Sequence, residues 1–377
     1  MMYYFDHSAT TPLHPRIKEL MVNVGELHFG NPSSIHAPGQ KAKTLIETAR
    51  GQMAKAIGCS SNEVIFTGGG TEANNLVLWD ITHQQKKHVV TSVIEHPAVL
   101  NVLDNLEEFG VTYTAVSVDE AGVVNPEEVK NAITEKTGLI SIMLANNEMG
   151  TIQPVAEIAV IAKKHGIIMH TDAVQALGKI SINAKELSVD CMSFSAHKFY
   201  GPKGVGALFV RKGFQLKPLI IGGNQERSLR AGTENTSGIA GLGLAAELAT
   251  KNITDTQFHL DSLTNAFHKQ ISNLFPDAIF NGHPEKQLPG LVSISFPGFR
   301  SDLLMIHLDR RRIAVSSGSA CSAGDIKPSR ILSAMSIEDD INICTLRISF
   351  GIGNTLQDVD YLTQSLKSSL EQIRSAA

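Results

Sequence analysis

A chain of 377 residues, 42% apolar and 19% charged, is long enough to build one large domain and a smaller one, each around its own core. Its 33 lysines and arginines against 37 aspartates and glutamates leave a net charge of -4, which gives no basic footprint for nucleic acid. No apolar run reaches bilayer-spanning length, and the opening "MMYYFDHSATTP" lacks a basic start followed by an apolar stretch, so a cytoplasmic protein without a leader or membrane span is expected.

From Glu63 to Arg211 the chain alternates short β-branched or apolar runs with longer helical patterns. The runs are "EVIFTG", "HVVTSV", "YTAVSV", "GLISIMLA", "GIIMHT", "VDCMSFS" and "GALFVR"; the helical intervals include Thr71 to Thr82, His96 to Phe109, Pro126 to Ile133 and Pro154 to His165. Such alternation predicts an α/β domain with a mostly parallel sheet of about seven strands and helices on both faces. After Glu234 the pattern changes. Helices are expected over Glu234 to Thr250 and Thr256 to Leu274, strands at "LVSISF" and "TLRISFG", and a closing helix from Thr355 to Ser375. This reads as a smaller α+β domain. Residues 14–250 are assigned to the large domain, and residues 1–13 with 251–377 to the small one.

In an open α/β sheet, ligands gather beyond the carboxyl ends of the strands. Those ends carry "TGGGTEANN", Glu95 with His96, "NNEMG", "TDAVQ" and "SAHKFYGPKG". Glycines running into a helix can turn backbone N–H groups toward an anion, although a plain turn has the same appearance. No GK[ST] follows and GxGxxG does not match, so the nucleotide-binding folds lose ground. Lys198 directly follows a strand, beside Ser195 and His197. Most lysines are solvated surface charges, but an amine held against buried strand and a histidine can have a lowered pKa and attack carbonyls. Asp172 could pair with a protonated pyridine nitrogen or merely cap the next helix. His96 could lie over a planar cofactor or only precede the helix that Pro97 begins.

Four cysteines, Cys59, Cys191, Cys321 and Cys344, lie far apart with no CxxC and no zinc-type cluster. Cys59, Cys191 and Cys344 adjoin helix or strand patterns and suit small buried positions. Cys321 differs. It sits in "VSSGSACSAG", whose serines, glycines and alanines cannot fill a core and read as a loop.

Taken together, "GGTE", "EHPAV", "NNEMGTIQP", "TDAVQALGK", "SFSAHKFYGPKGVGALFVRKG", "RAGTENT" and "SSGSACSAG" follow one another as in the cysteine desulfurases, which this chain closely resembles from "FDHSATTP" to "LRISFG". These are pyridoxal 5'-phosphate (PLP) enzymes of the class V aminotransferase group, with the fold type I architecture. The resemblance implies that Lys198 carries PLP as a Schiff base, Asp172 pairs with the pyridine nitrogen, His96 stacks on the ring and Gln175 meets the phenolic oxygen. It assigns Gly70, Thr71, Ser195 and His197 to the phosphate, and Thr233 to a phosphate across a homodimer interface. Asn147 and Arg347 occupy the substrate-holding places, and an arginine fork suits an amino acid's carboxylate.

The resemblance further implies that Cys321 attacks the sulfur of the cysteine adduct, leaving alanine and an enzyme persulfide, with His96 the nearest base by analogy. The persulfide would pass to acceptor proteins for iron–sulfur cluster assembly, tRNA thiolation or related delivery. The chain departs from the family pattern at "TGGGTE", where a serine more often precedes the glycine pair, and at Ser8, where alanine is usual. A selenocysteine lyase, or another class V aminotransferase, would share Lys198, Asp172 and the phosphate loop. Transamination needs no thiol at Cys321. A non-enzymatic sulfur-transfer scaffold would be expected to have lost one of Lys198, Asp172 or Cys321.

Overall fold

A computed structural model describes residues 2–317 and 327–376; Cys321 lies outside the described residues. After a short first strand, β1 (Tyr3–Tyr4), seven strands follow in the order of the seven apolar runs: β2 (Val64–Thr67), β3 (His88–Ser92), β4 (Thr112–Val116), β5 (Thr137–Ser141), β6 (Ile168–Asp172), β7 (Cys191–Ser195) and β8 (Gly206–Val210). They form one sheet in the spatial order β2-β8-β7-β6-β5-β3-β4. Only β8 runs against its neighbours, pairing antiparallel with both β2 and β7, so the sheet is mostly parallel. Strands β2, β3, β7 and β8 are buried at every residue, as a sheet covered on both faces requires. The edge strand β4 instead alternates exposed with half-buried residues before Val116.

The expected helices form at Gly70–Asp80, Pro97–Leu106, Pro126–Asn131 and Val155–Lys164. Proline occupies the first turn of the second and third, where its missing N–H costs nothing, and the side chains of His96 and Asn125 cap them. Two long helices ahead of β2, Pro15–Leu27 and Ala37–Ala56, lie outside the alternation read from the sequence. Both pack against helix Thr236–Lys251, contributing Ile17, Ile46 and Met53 to the same apolar cluster as Ile239 and Leu242.

The remaining strands are β9 (Ile279–Asn281), β10 (Leu291–Ser295), β11 (Ile313–Ala314), β12 (Ser316–Ser317) and β13 (Thr345–Ser349). Four of them form an antiparallel sheet in the order β12-β13-β10-β9. Helices Ile253–Leu274 and Leu356–Ala376 cover it, and Leu260, Phe267, Leu362 and Leu366 share a core with Phe5, Ile294 and Leu346. The N-terminal segment is built into this second core: β1 pairs with β11, and Asp6 bridges to Ser349. Residues 7–11 then cross to the large sheet, where the Thr11 hydroxyl donates to the carbonyl of His197 at 2.9 Å. That crossing places the backbone of Ser8 and Ala9 between the two cores. Among the described residues, no helix is long and apolar enough to cross a membrane.

Candidate active site

A cavity of about 880 Å³ opens between the large sheet and the second unit. Gly70, Thr71, His96, Asn147, Asp172, Gln175, Ser195, His197 and Lys198 line it from the large-sheet side, and Arg347 lines it from β13. Thr233 does not: it is exposed, outside this cavity.

The glycine loop packs tightly against its surroundings. A methyl group on Gly70 would come within 2.6 Å of Val174, and one on Gly206 within 2.7 Å of the Gly69 backbone, so side chains there would push the loop off the sheet. Gly70 also begins an 11-residue helix, and the first N–H groups of a helix, which have no partner within it, can meet an anion.

Lys198 follows β7 on a short turn, and its ammonium donates to the carbonyls of Ser8 at 2.6 Å and Ala9 at 2.8 Å. Burial, reinforced by the Arg347 cation, lowers its pKa to about 8, while Asp172 and Asp6 oppose the shift. Asp172 ends β6. Its carboxylate accepts from Asn74 Nδ2 at 2.7 Å and from the Val174 N–H at 2.9 Å.

His96 caps its helix by accepting the Ala98 N–H at Nδ1, 3.0 Å away. A neutral ring making that bond carries its proton on Nε2. Burial lowers its pKa, with the Lys198 and Arg330 cations acting in the same direction and Asp172 against it. His96 is thus a helix cap that also lines the cavity wall.

Arg347 is nearly buried and donates to Asp6 at 2.9 Å and to the Asn147 carbonyl at 3.1 Å. Its Nε has no partner among the described residues, nor does the side-chain oxygen of Asn147 or the hydroxyl of Ser8. Buried polar groups without partners are costly, and these three belong to residues that line one cavity, as expected where a polar ligand completes the bonding. A helix N-terminus for phosphate, a carboxylate for a ring nitrogen, a lysine of lowered pKa and spare donors fit a phosphorylated pyridine aldehyde together with an amino acid.

Several contributors were not anticipated. Asp6, Asn74 and Lys179 hold Arg347, Asp172 and Gln175, and Ser329 donates to Glu148 at 2.5 Å on the cavity wall. Asn74 had a legible signal: it lies one helical turn beyond Gly70. Asp6 had none, since its partner is 341 positions away. Elsewhere, burial pushes the Cys59 thiol up to about 12 and also raises Cys191, so neither is a ready nucleophile.

Fold and cavity together define a PLP-type enzyme, and the chain belongs to the class V aminotransferases, whose family pattern matches residues 3–362. Enzymes of this class use pyridoxal 5'-phosphate. The chain is 44% identical over 375 residues to the cysteine desulfurase IscS of Dictyoglomus turgidum, covering 99% of this chain and 95% of that one. A solved NifS-like protein superposes with a TM-score of 0.93 at 38% identity, over 98% of this chain and all of that one. The structure of SspA in complex with cysteine matches with a TM-score of 0.82 at 34% identity, over 93% of this chain and 99% of that one. Within its class, the chain is a member of the cysteine desulfurase family.

Proposed function

We propose that this enzyme converts L-cysteine to L-alanine and takes the sulfur as a persulfide on Cys321. The carrying observation is that Lys198, Asp172 and Arg347 line one cavity, where a nucleophilic amine, a carboxylate and a guanidinium with a spare donor meet. When bound, PLP supplies an electron sink for the α-carbon of an amino acid. Gly70, Thr71, Ser195 and His197 would hold its phosphate, Asp172 its ring nitrogen, Gln175 its phenolic oxygen, and His96 the ring face.

Lys198 supplies the amine for covalent attachment, and its lowered pKa favours the free, nucleophilic form. Arg347 and Asn147 orient the substrate through its carboxylate. The substrate Cβ–S bond breaks as the sulfur bonds to the Cys321 thiolate, and the methyl group of alanine is completed by a proton. If His96 takes part in proton transfer, it must use Nε2 or release its cap, since Nδ1 is engaged.

Division of the chain into residues 14–250 and residues 1–13 with 251–377 is supported by the two separate cores. We place the reaction in the cytoplasm, where a persulfide can pass to acceptor proteins, and in a homodimer, with Thr233 reaching the partner's phosphate.

The test is an L-cysteine assay that measures alanine and sulfide under a thiol reductant. Lys198→Ala should remove the visible absorption band of the bound cofactor and both products. Cys321→Ala should keep the band and lose the sulfide. Sulfide released by Cys321→Ala at the wild-type rate would overturn the assignment of the thiol.

A further inference from the structure

We propose that Lys179 is a positioning residue that sets which way the Gln175 side-chain amide faces, and so presents the amide's N–H to the bound cofactor. The inference rests on the reading above that Gln175 faces the phenolic oxygen of PLP.

Lys179 is 8% exposed and no step of the reaction uses it. Its Nζ donates to Gln175 Oε1 at 2.9 Å, and among the described residues that is its one side-chain hydrogen bond. Gln175 Nε2 in turn donates to the Ser8 carbonyl at 2.9 Å, the same oxygen that accepts from Lys198. A side-chain amide has an accepting end and a donating end of nearly identical shape, so its neighbours decide its orientation. Here an ammonium that can only donate stands at one end and a carbonyl that can only accept stands at the other. Both demand Oε1 toward Lys179 and Nε2 toward Ser8.

One Nε2 hydrogen is engaged by Ser8, which leaves the second for the cavity that Gln175 lines. A flipped amide would place an oxygen there, against the phenolic oxygen of the cofactor. Burial, with Lys198 and Arg347 nearby, lowers the Lys179 pKa to about 7. Once Lys179 is neutral it can still donate to Oε1, and the Ser8 carbonyl, which can only accept, keeps Nε2 in place. A buried amine carries a large desolvation cost, and a chain that needed only to fill the space could do so with methionine.

The measurement is the affinity of the cofactor-free protein for added PLP, with the position of its visible absorption band, in four chains. Lys179→Met should weaken PLP binding roughly five- to tenfold, as expected for one hydrogen bond, and move the band. Lys179→Gln keeps a donor and should bind within about twofold of wild type. Gln175→Leu should weaken binding at least as much as Lys179→Met. If Gln175→Leu binds normally, Gln175 does not meet the cofactor and the underlying reading fails. If it weakens binding while Lys179→Met does not, only the positioning role fails. Equal loss in Lys179→Met and Lys179→Gln would also overturn that role, because charge or packing would then be responsible. Should Lys179→Met not fold, the isosteric pair Lys179→Gln and Lys179→Glu carries the comparison above pH 8. A carboxylate accepts where the lysine donated, so the glutamate chain alone should lose affinity, and equal affinities would overturn the proposal.

Discussion

At the scale of single residues, the site is governed by what burial does to charged groups. Burial of Lys198, reinforced by the Arg347 cation, outweighs Asp172, Asp6 and the two carbonyls that hold the ammonium, so its amine is released near pH 8 rather than above 10. The rate at which cofactor-free protein captures PLP should therefore rise with pH about a midpoint near 8. A midpoint above 10 would show that Lys198 is solvated. Arg347→Lys keeps the charge but loses the planar fork, and should raise KM for L-cysteine roughly 10- to 100-fold, the equivalent of about 1.5–3 kcal/mol.

Glu95 provides a pH effect on stability rather than on rate. It is fully buried, its Oε2 has no partner, and desolvation raises its pKa to about 8. The folded protein thus holds this proton more tightly than the unfolded chain. Its contribution is fully present below the unfolded value near 4.5 and is lost as pH rises through about 8. Glu95→Gln removes that titration while keeping an acceptor for Ser92 and the Met143 N–H, which now donate to Oε1. The fall of Tm between pH 5 and 9 should be shallower in this variant; an unchanged slope would show that Glu95 is not the group responsible.

At the scale of elements, one buried ion pair fixes the turn that leads to Thr233. Arg50, on helix Ala37–Ala56, forks onto both oxygens of Glu226 at 2.7 and 2.8 Å, and Glu226 also accepts the N–H of Phe66 in β2. Glu226, Arg227 and Ser228 all have positive φ, at 45°, 57° and 65°, a conformation unfavourable for side-chain-bearing residues. The ion pair and the N–H bond hold that turn against the sheet edge. Glu226→Ala leaves the buried Arg50 charge with only the exposed Glu47 as an ion-pair partner, and should destabilise the fold by about 3 kcal/mol in denaturant melts. The double change Arg50→Met with Glu226→Ala should recover part of that loss. If it instead added to the loss, the pair would not be the source.

At the scale of the whole molecule, Thr233 is exposed and lies outside the cavity, while Phe29 and Ile35 are 83% and 95% exposed. In a homodimer with shared sites, Lys198→Ala and Thr233→Val fail in different chains of the same site. Mixed after co-expression, they should recover one working site in each mixed dimer, with a PLP affinity matching wild type. A failure to complement, or a monomer in light scattering, would remove the cross-dimer role of Thr233.

The same scale separates what was legible in the residues from what was not. All seven strands of the large sheet and four of the helices between them could be read from periodicity, because apolar alternation and proline or histidine at a helix start are local properties, whereas the four-residue helix Ala184–Leu187 is too short to show a period. The helices Pro15–Leu27 and Ala37–Ala56 escaped that reading because they precede the first strand and belong to no strand–helix alternation. Lys198, Asp172, His96 and Arg347 were legible as motifs or by resemblance, whereas Ser329 and Arg330, which also line the cavity, were not.

By itself, the sequence determined the class of fold, since strand and helix periods depend on neighbours a few positions apart, and its resemblance to the cysteine desulfurases supplied the residues expected to serve PLP. Only the tertiary structure decided the antiparallel insertion of β8 and the donation of Lys198 to carbonyls 190 and 189 positions away. It also decided the hold of Asp6 on Arg347 and the orientation of Gln175 between Lys179 and Ser8. The physical reason is that desolvation and long-range hydrogen bonds arise only when distant segments pack together, and no local pattern of side chains encodes which of them will meet.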